Sequence, residues 1–346
     1  MADTPVVILL SKLMAIPSTS EEEQDIAHFL GDYLRSLGYT VELIPISPNS
    51  TRCNVYAYLG ERRKTRILLT SHMDTVPPHI PFSIKDNIIY GRGACDDKGP
   101  LAAQIIALED LRSEKAVSEG DAALLFVVGE EKGGPGMIAA NDMKLSWEAI
   151  IFGEPTEGKL ATGHKGHFVF ELFAKGVPSH SGYPDRGKSA TAALVAILSD
   201  LDKMALELPE SDLLGKSTFH AGKVEGGVAY NVLAAEASAL CGIRVATELD
   251  EIERRVAEVV ARYPDVQMKK SFSYPETLLD HEFEGLETTP VAFGTDIPRL
   301  KGDHKKYLYG PGSILDAHGE NEQVTIPDLM ECLAVYKRLV LKMLSQ

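Results

Sequence analysis

The chain has 346 residues, of which 44% are hydrophobic and 25% charged, and its formal net charge is −15. That length exceeds one simple core and predicts about two domains of ordinary globular composition. The acid excess argues against nucleic acid or an anionic membrane as a partner, because both need a basic face.

Cys53, Cys95, Cys241 and Cys332 lie far apart with no CxxC pair. This argues against a zinc finger or a disulfide framework and fits a reducing compartment. The first residues carry no basic segment, and the apolar run Val6–Leu10 is short. Neither a signal peptide nor a transmembrane span is expected, so a cytoplasmic location follows by default.

Two helices are predicted first, over Val6–Ala15 and Glu21–Leu37. In the second, Ile26, Phe29, Leu30, Tyr33, Leu34 and Leu37 recur at helical spacing. Ser20 and Glu23 have capping-box spacing, and Gly38 suits the position after the helix end. Strands follow over Thr40–Ile46, Asn54–Leu59 and Arg66–Ser71, the last leading into His72-Met73-Asp74. A short strand, Ile88–Tyr90, enters the glycine-rich stretch Gly91 to Gly99, and a helix runs from Pro100 to Arg112. The apolar strand Ala122–Val128 ends at Gly129-Glu130-Glu131, and Ala149–Phe152 ends at Gly153-Glu154-Pro155-Thr156. Several strands in succession thus finish in an acid or a histidine. That is the pattern of a site along one edge of an α/β sheet.

From about Gly163 the pattern changes. Phe168–Ala174, Thr218–Lys223, Glu236–Val245 and Val266–Tyr274 read as strands, with helices over Ser189–Leu206 and Leu249–Tyr263 and a loop over 207–216. The order β-α-β-β-α-β is that of a ferredoxin-like unit. The chain then returns through Thr288–Phe293, Gly310-Pro311-Gly312 and His318 to a final helix, Ile326–Leu344. The predicted fold is α/β, with a mixed-sheet catalytic domain over 1–163 and 276–346 and an inserted ferredoxin-like domain over 164–275.

Two metal ions about 3.5–4 Å apart need roughly three protein ligands each, with one carboxylate shared between them. His72, Asp96, Glu131, Glu154 and His318 meet that demand, and Asp96, in a tight turn, is the natural bridge. If the strand continues, Asp74 shares a face with His72 and can accept a hydrogen bond from its non-liganding nitrogen. Glu130 and Glu131 are adjacent and point in different directions. Glu131 is assigned as ligand and Glu130 as general base. Zinc, cobalt and manganese all satisfy such ligands.

Five motifs then carry a resemblance: Ser71 to Pro77, Gly91 to Gly99, Gly129-Glu130-Glu131, Gly153 to Thr156, and Ala317 to Glu322. In this order the chain resembles the co-catalytic zinc exopeptidase and deacylase family of acetylornithine deacetylase, succinyl-diaminopimelate desuccinylase, carboxypeptidase G, aminoacylase and carnosine dipeptidase. The resemblance implies two divalent ions, zinc first, held by His72, Asp96 and Glu154 and by Asp96, Glu131 and His318. It also implies Asp74 behind His72, Glu130 as base, and a water bridging the metals as the attacking group. Asp97 stands where much of the family has methionine. The insertion would be the family's lid and dimerisation domain, implying a homodimer. Ser179-His180-Ser181-Gly182 resembles the lid histidine motif that stabilises the oxyanion. Asn231 and Arg244 match positions that hold the substrate carboxylate, a group that suits a planar guanidinium. Thr295 and Gly312 are expected to line the pocket.

The activity expected is hydrolysis of the amide of an N-acyl amino acid, as by acetylornithine deacetylase, because Glu154 and the short chain resemble that branch. A carboxypeptidase or dipeptidase acting on a small peptide is the alternative. Glu130 speaks against a non-catalytic metal- or amino-acid-binding protein, and the insertion speaks against a lidless aminopeptidase. His28 and His79 read as solvated. His164 and His167 flank the insertion without an assigned role, and Cys95 reads as a small packing residue.

Overall fold

The apolar runs of the sequence become the central strands of a sheet. A computed structural model describes residues 3–346. Its largest sheet has six strands, in the order Thr40–Pro45, Cys53–Tyr58, Ala122–Val127, Ile67–His72, Ala149–Phe152 and Lys305–Leu308. The first three neighbours pair antiparallel and the remainder parallel. Every residue of Ile67–His72, Ala122–Val127 and Ala149–Phe152 is buried, as expected of strands covered on both faces. Their parallel register places His72 beside Val127, so Gly129-Glu130-Glu131 and Gly153-Glu154 leave the same edge.

The helix Lys98–Ser113 packs against Pro5–Met14 and Ile326–Leu344. Leu101, Ala102, Ile105 and Leu108 are buried with Leu10, Leu13, Leu329 and Val335 in one apolar core. The second helix, Gln24–Ser36, ends as expected. Gly38 has φ +94°, its N–H donates to Arg35, and that of Tyr39 donates to Leu34, the bond pattern of a Schellman end. Its start differs from expectation. No side chain caps it. Ser20 instead donates to Asp74, and Glu23 binds Arg52. Both are drawn to these tertiary partners, and Glu23 also accepts the Glu21 N–H.

The chain divides into two compact units. The first runs through Thr162 and resumes over Leu279–Thr289 and Thr295–Gln346; the second is Gly163–Leu278 with Pro290–Gly294. The second unit has a four-stranded antiparallel sheet, ordered Thr218–Gly226, Glu236–Val245, Gly166–Lys175, Val266–Tyr274. With the helices Ala190–Ala205 and Leu249–Ala261 this is the ferredoxin-like arrangement. Gly166–Lys175 alternates buried and less buried residues, and Phe168, Phe170 and Leu172 meet Ile197, Leu201, Ile252 and Val256 in a second core.

Some elements escaped the sequence reading. The 207–216 stretch holds a small hairpin, Glu210–Ser211 against Gly215–Lys216. Leu160–His164, Lys305–Leu308 and Gln323–Thr325 are also strands. Each is short, and its pairing is supplied by distant chain.

Candidate active site

Three loops at the sheet edge, the glycine-rich turn and the His318 loop bring seven of the singled-out side chains together in the first unit. His72 Nε2 lies 2.9 Å from Asp96 Oδ1 and 4.0 Å from Glu154 Oε1. His318 Nε2 lies 3.1 Å from the other Asp96 oxygen and 2.9 Å from Glu131 Oε1. Asp96 therefore presents one oxygen to each histidine. Two triads have ligand atoms within 4.8 Å of one another: His72, Glu130 and Glu154, and His72, Asp96 and Glu131. Both triads contain His72, so each of the adjacent glutamates has an oxygen close to it. Glu130 is grouped with His72 and Glu154, and Glu131 with His72 and Asp96 and also with His318 at 2.9 Å.

His72 Nδ1 lies 2.9 Å from the Asp74 carbonyl oxygen and 3.5 Å from its carboxylate. The strand stops at His72, so the chain turns and the backbone oxygen, not the expected carboxylate, takes the nearer place. A carbonyl only accepts, so Nδ1 carries the proton. Nε2 then points a lone pair at the Asp96 oxygen, and two lone pairs at 2.9 Å require a positive species between them. A divalent cation meets that need, and the oxygen and imidazole donors suit zinc or its neighbours. Without an ion the need falls on protons. Burial opposes charge on His72, but hydrogen bonds to Asp74 and Asp96 outweigh it and hold its pKa well above the usual value. His318 is pushed up to about 10 by its bonds to Asp96 and Glu131. Burial, the Asp96 charge and the Glu130 charge push the Glu154 carboxyl well up.

The Asp74 carboxylate is itself held. It accepts from Ser20 Oγ at 2.8 Å and from the N–H groups of Glu130 and Glu131 at 3.0 and 3.3 Å. It thereby ties the Ser18–Ser20 segment and the Glu130 turn to the histidine strand. Asp97 accepts the His72 N–H at 3.1 Å, a bond that shapes the turn.

Two charged residues of this framework were not singled out from the sequence. Glu322 is 1% exposed and accepts from Gly93, Cys95 and Asp96 N–H groups and from Arg92. Arg92, 2% exposed, also donates to the His318 and Gly319 carbonyls. Both residues lie inside the quoted motifs. Arg92 between two glycines was the available signal, and Glu322 carried none. Gly93 has φ +88°, which glycine adopts at no steric cost. At Gly310 a Cβ would sit 2.2 Å from the Glu154 carbonyl, so only glycine lets that loop approach.

Thr295 and Asp296 line a small hollow with His72 and Glu154. Burial raises the Asp296 carboxyl to about 7. Gly312 lies against Cys95, whose thiol burial pushes up. His180, Asn231 and Arg244 belong to the second unit. His180 and Val232 form a β-bridge, and Ser181 N–H donates to the Asn231 carbonyl at 2.9 Å. His180 and Asn231 are exposed. Arg244 is half-buried on Glu236–Val245 and registers with His167. His79, expected to be solvated, is partly buried, and His164 is fully buried. The four cysteines are free.

The family profile described as peptidase family M20/M25/M40 matches residues 68–342. The chain belongs to this family. It is a hydrolase of the M20 metallopeptidases, which act with divalent metals on peptide or amide substrates. A peptidase M20 domain-containing protein of Schizosaccharomyces pombe is 48% identical over 97% of this chain and 84% of its own length. An Aspergillus flavus protein named "probable carboxypeptidase" is 40% identical over 97% of this chain and 90% of its own. The fold matches a Staphylococcus aureus tripeptidase with a TM-score of 0.84, at 21% identity over 99% of this chain and 98% of that one. It also matches an M20 family metallo-carboxypeptidase of Sulfolobus solfataricus with a TM-score of 0.76, at 18% identity over 99% and 100% of the two chains. Among the described residues no helix is long and apolar enough to cross a membrane.

Proposed function

We propose that this M20 hydrolase cleaves the amide bond next to the free carboxylate of a small peptide, as a carboxypeptidase or dipeptidase. The observation that carries the reading is the Asp96 carboxylate, with one oxygen on His72 and the other on His318. His72, Asp96 and Glu154 would hold one divalent ion, and Asp96, Glu131 and His318 a second, with zinc as the first candidate. Bound there, such ions polarise a carbonyl and acidify water.

Glu130 takes the proton of the attacking water and delivers it to the leaving amine. Burial raises its carboxyl well above the usual range against the opposing His72 charge, with the charges of Asp296, Glu131 and Asp74 adding to it, and a raised carboxyl is the direction a proton shuttle needs. Asp74 holds His72 and the Glu130 turn in place. Thr295 and Gly312 are assigned to the pocket. By resemblance, His180 steadies the developing oxyanion, Asn231 and Arg244 hold the substrate carboxylate, and the second unit provides a homodimer contact. The Aspergillus relative's name supports a peptide substrate. Glu154 supports a second reading, acetylornithine-type deacetylation of an N-acyl amino acid.

A panel of dipeptides, longer peptides and N-acetyl and N-succinyl amino acids, assayed with zinc, cobalt or manganese, separates these readings. Release of a C-terminal residue, lost when that carboxylate is amidated, is expected. Exclusive turnover of N-acetyl substrates would favour deacetylation, and turnover of none would overturn both.

A further inference from the structure

The Gly129-Glu130-Glu131 turn has a second neighbour besides Asp74. Gly129 is buried, with φ +73°. A Cβ there would stand 2.7 Å from Arg52 Nη2 and 2.7 Å from Pro135 Cγ, so only glycine leaves room. The Arg52 guanidinium therefore lies directly against the backbone that precedes Glu130. Arg52 itself comes from the loop before the strand Cys53–Tyr58, far from the turn in sequence.

The guanidinium is itself held. Its Nε donates to one Glu23 oxygen at 2.7 Å and its Nη2 to the other at 2.6 Å. The Glu23 side chain is 0% exposed and that of Arg52 19%. A two-point pair of this kind fixes the plane of the guanidinium as well as its place. Three positions before Glu23, Ser20 donates to Asp74, which accepts from the Glu130 and Glu131 N–H groups. The same segment thus reaches the Glu130 turn by two routes, Ser20 through Asp74 and Glu23 through Arg52.

The Glu23 bonds raise the Arg52 pKa against burial, and the Asp74 charge adds to them. One cation serves two buried carboxylates. A counterion for Glu23 alone would need no contact with Gly129. We propose that Arg52 is a positioning residue for hydrolysis: set between Glu23 and Gly129, its guanidinium fixes the direction in which the turn presents the Glu130 carboxyl. This role rests on Glu130 being the general base.

Kinetics, metal content and melting temperature of zinc-loaded Arg52→Gln, Glu23→Gln and their double variant test it, with the peptide the parent turns over fastest. Arg52→Gln leaves the Glu23 carboxylate buried without its partner, so its melting temperature should fall, and the double variant should recover most of that loss. The kcat of Arg52→Gln should fall about 10–100-fold, the usual cost of removing an orienting partner, with KM and metal content unchanged, and it should stay low in the double variant. Arg52→Lys keeps the charge and guards against misfolding; without the planar fork it should lose kcat severalfold. In a Glu130→Gln background, Arg52→Gln should add no further loss, because the two act as a unit. Recovery of kcat together with stability in the double variant would make Arg52 the counterion of Glu23 alone and overturn the proposal. Parental kcat in Arg52→Lys, or a fully additive loss in the Glu130→Gln background, would do the same. Normal turnover in Arg52→Gln beside a crippled Glu130→Gln overturns the positioning alone, whereas normal turnover in Glu130→Gln overturns the base and the role of Arg52 with it.

Discussion

The Glu322 carboxylate accepts the Asp96 N–H at 3.2 Å, and the same oxygen accepts those of Gly93 at 2.9 Å and Cys95 at 3.3 Å. Its second oxygen binds Arg92 at 2.6 Å. One buried carboxylate thus gathers the backbone of the turn that aims Asp96. Breaking a buried pair from one side costs about 3–5 kcal/mol. Glu322→Ala should therefore lower unfolding stability by about 3 kcal/mol. Glu322→Gln, which keeps one acceptor, should stay folded but bind metal at least tenfold more weakly in chelator competition. Unchanged metal affinity in a folded Glu322→Gln protein would remove the positioning role.

Glu130 and Glu131 should separate cleanly. Glu130→Gln is expected to retain its metal and lose about 10²–10⁴-fold in turnover, the usual worth of a general base. Glu131→Gln is expected to lose metal along with activity. Metal content measured beside kcat distinguishes them. The opposite pattern would exchange the two roles.

His180→Ala should leave metal content and the melting temperature unchanged while lowering kcat. Removing one oxyanion donor costs about 10²–10³-fold in well-studied hydrolases. Normal kcat would exclude the oxyanion role.

His164 is one source of the pH dependence of stability outside the metal cluster. His164 is fully buried, and burial lowers its pKa from 6.5 to about 4. The unfolded chain takes up this proton first as the pH falls. The stability contributed is therefore full above about pH 6.5 and is lost as the pH drops toward 4. Its span is on the order of 3 kcal/mol. Denaturant titrations between pH 7 and pH 4 should show a shallower fall in His164→Gln than in the parent. His304, also lowered to about 4 by burial, maintains part of the slope in both. Parallel curves would exclude His164 as a source.

Much of the fold was legible because its signals are local. Val266–Tyr274, Glu236–Val245 and Ile326–Leu344 have the bounds expected from periodicity and flanking residues. The acids ending the parallel strands were legible because each follows an apolar run at a glycine. What escaped depends on distant chain. Lys305–Leu308 is a strand because Ala149–Phe152 lies beside it. Ser20 faces Asp74 because a β-bridge joins Thr19 to Thr75, and nothing near Ser20 in sequence predicts that. Glu322 reads as one more acid in an acidic loop until the backbone N–H groups it accepts are seen.

Asp96 is proposed to hold two divalent ions, one with His72 and one with His318. Titration of apo-protein with zinc, read by calorimetry and elemental analysis, tests it most directly. Two ions per chain are expected in the parent, one in His318→Ala and none held tightly in Asp96→Ala. A single ion in the parent, or two retained by a folded Asp96→Ala protein, would contradict it.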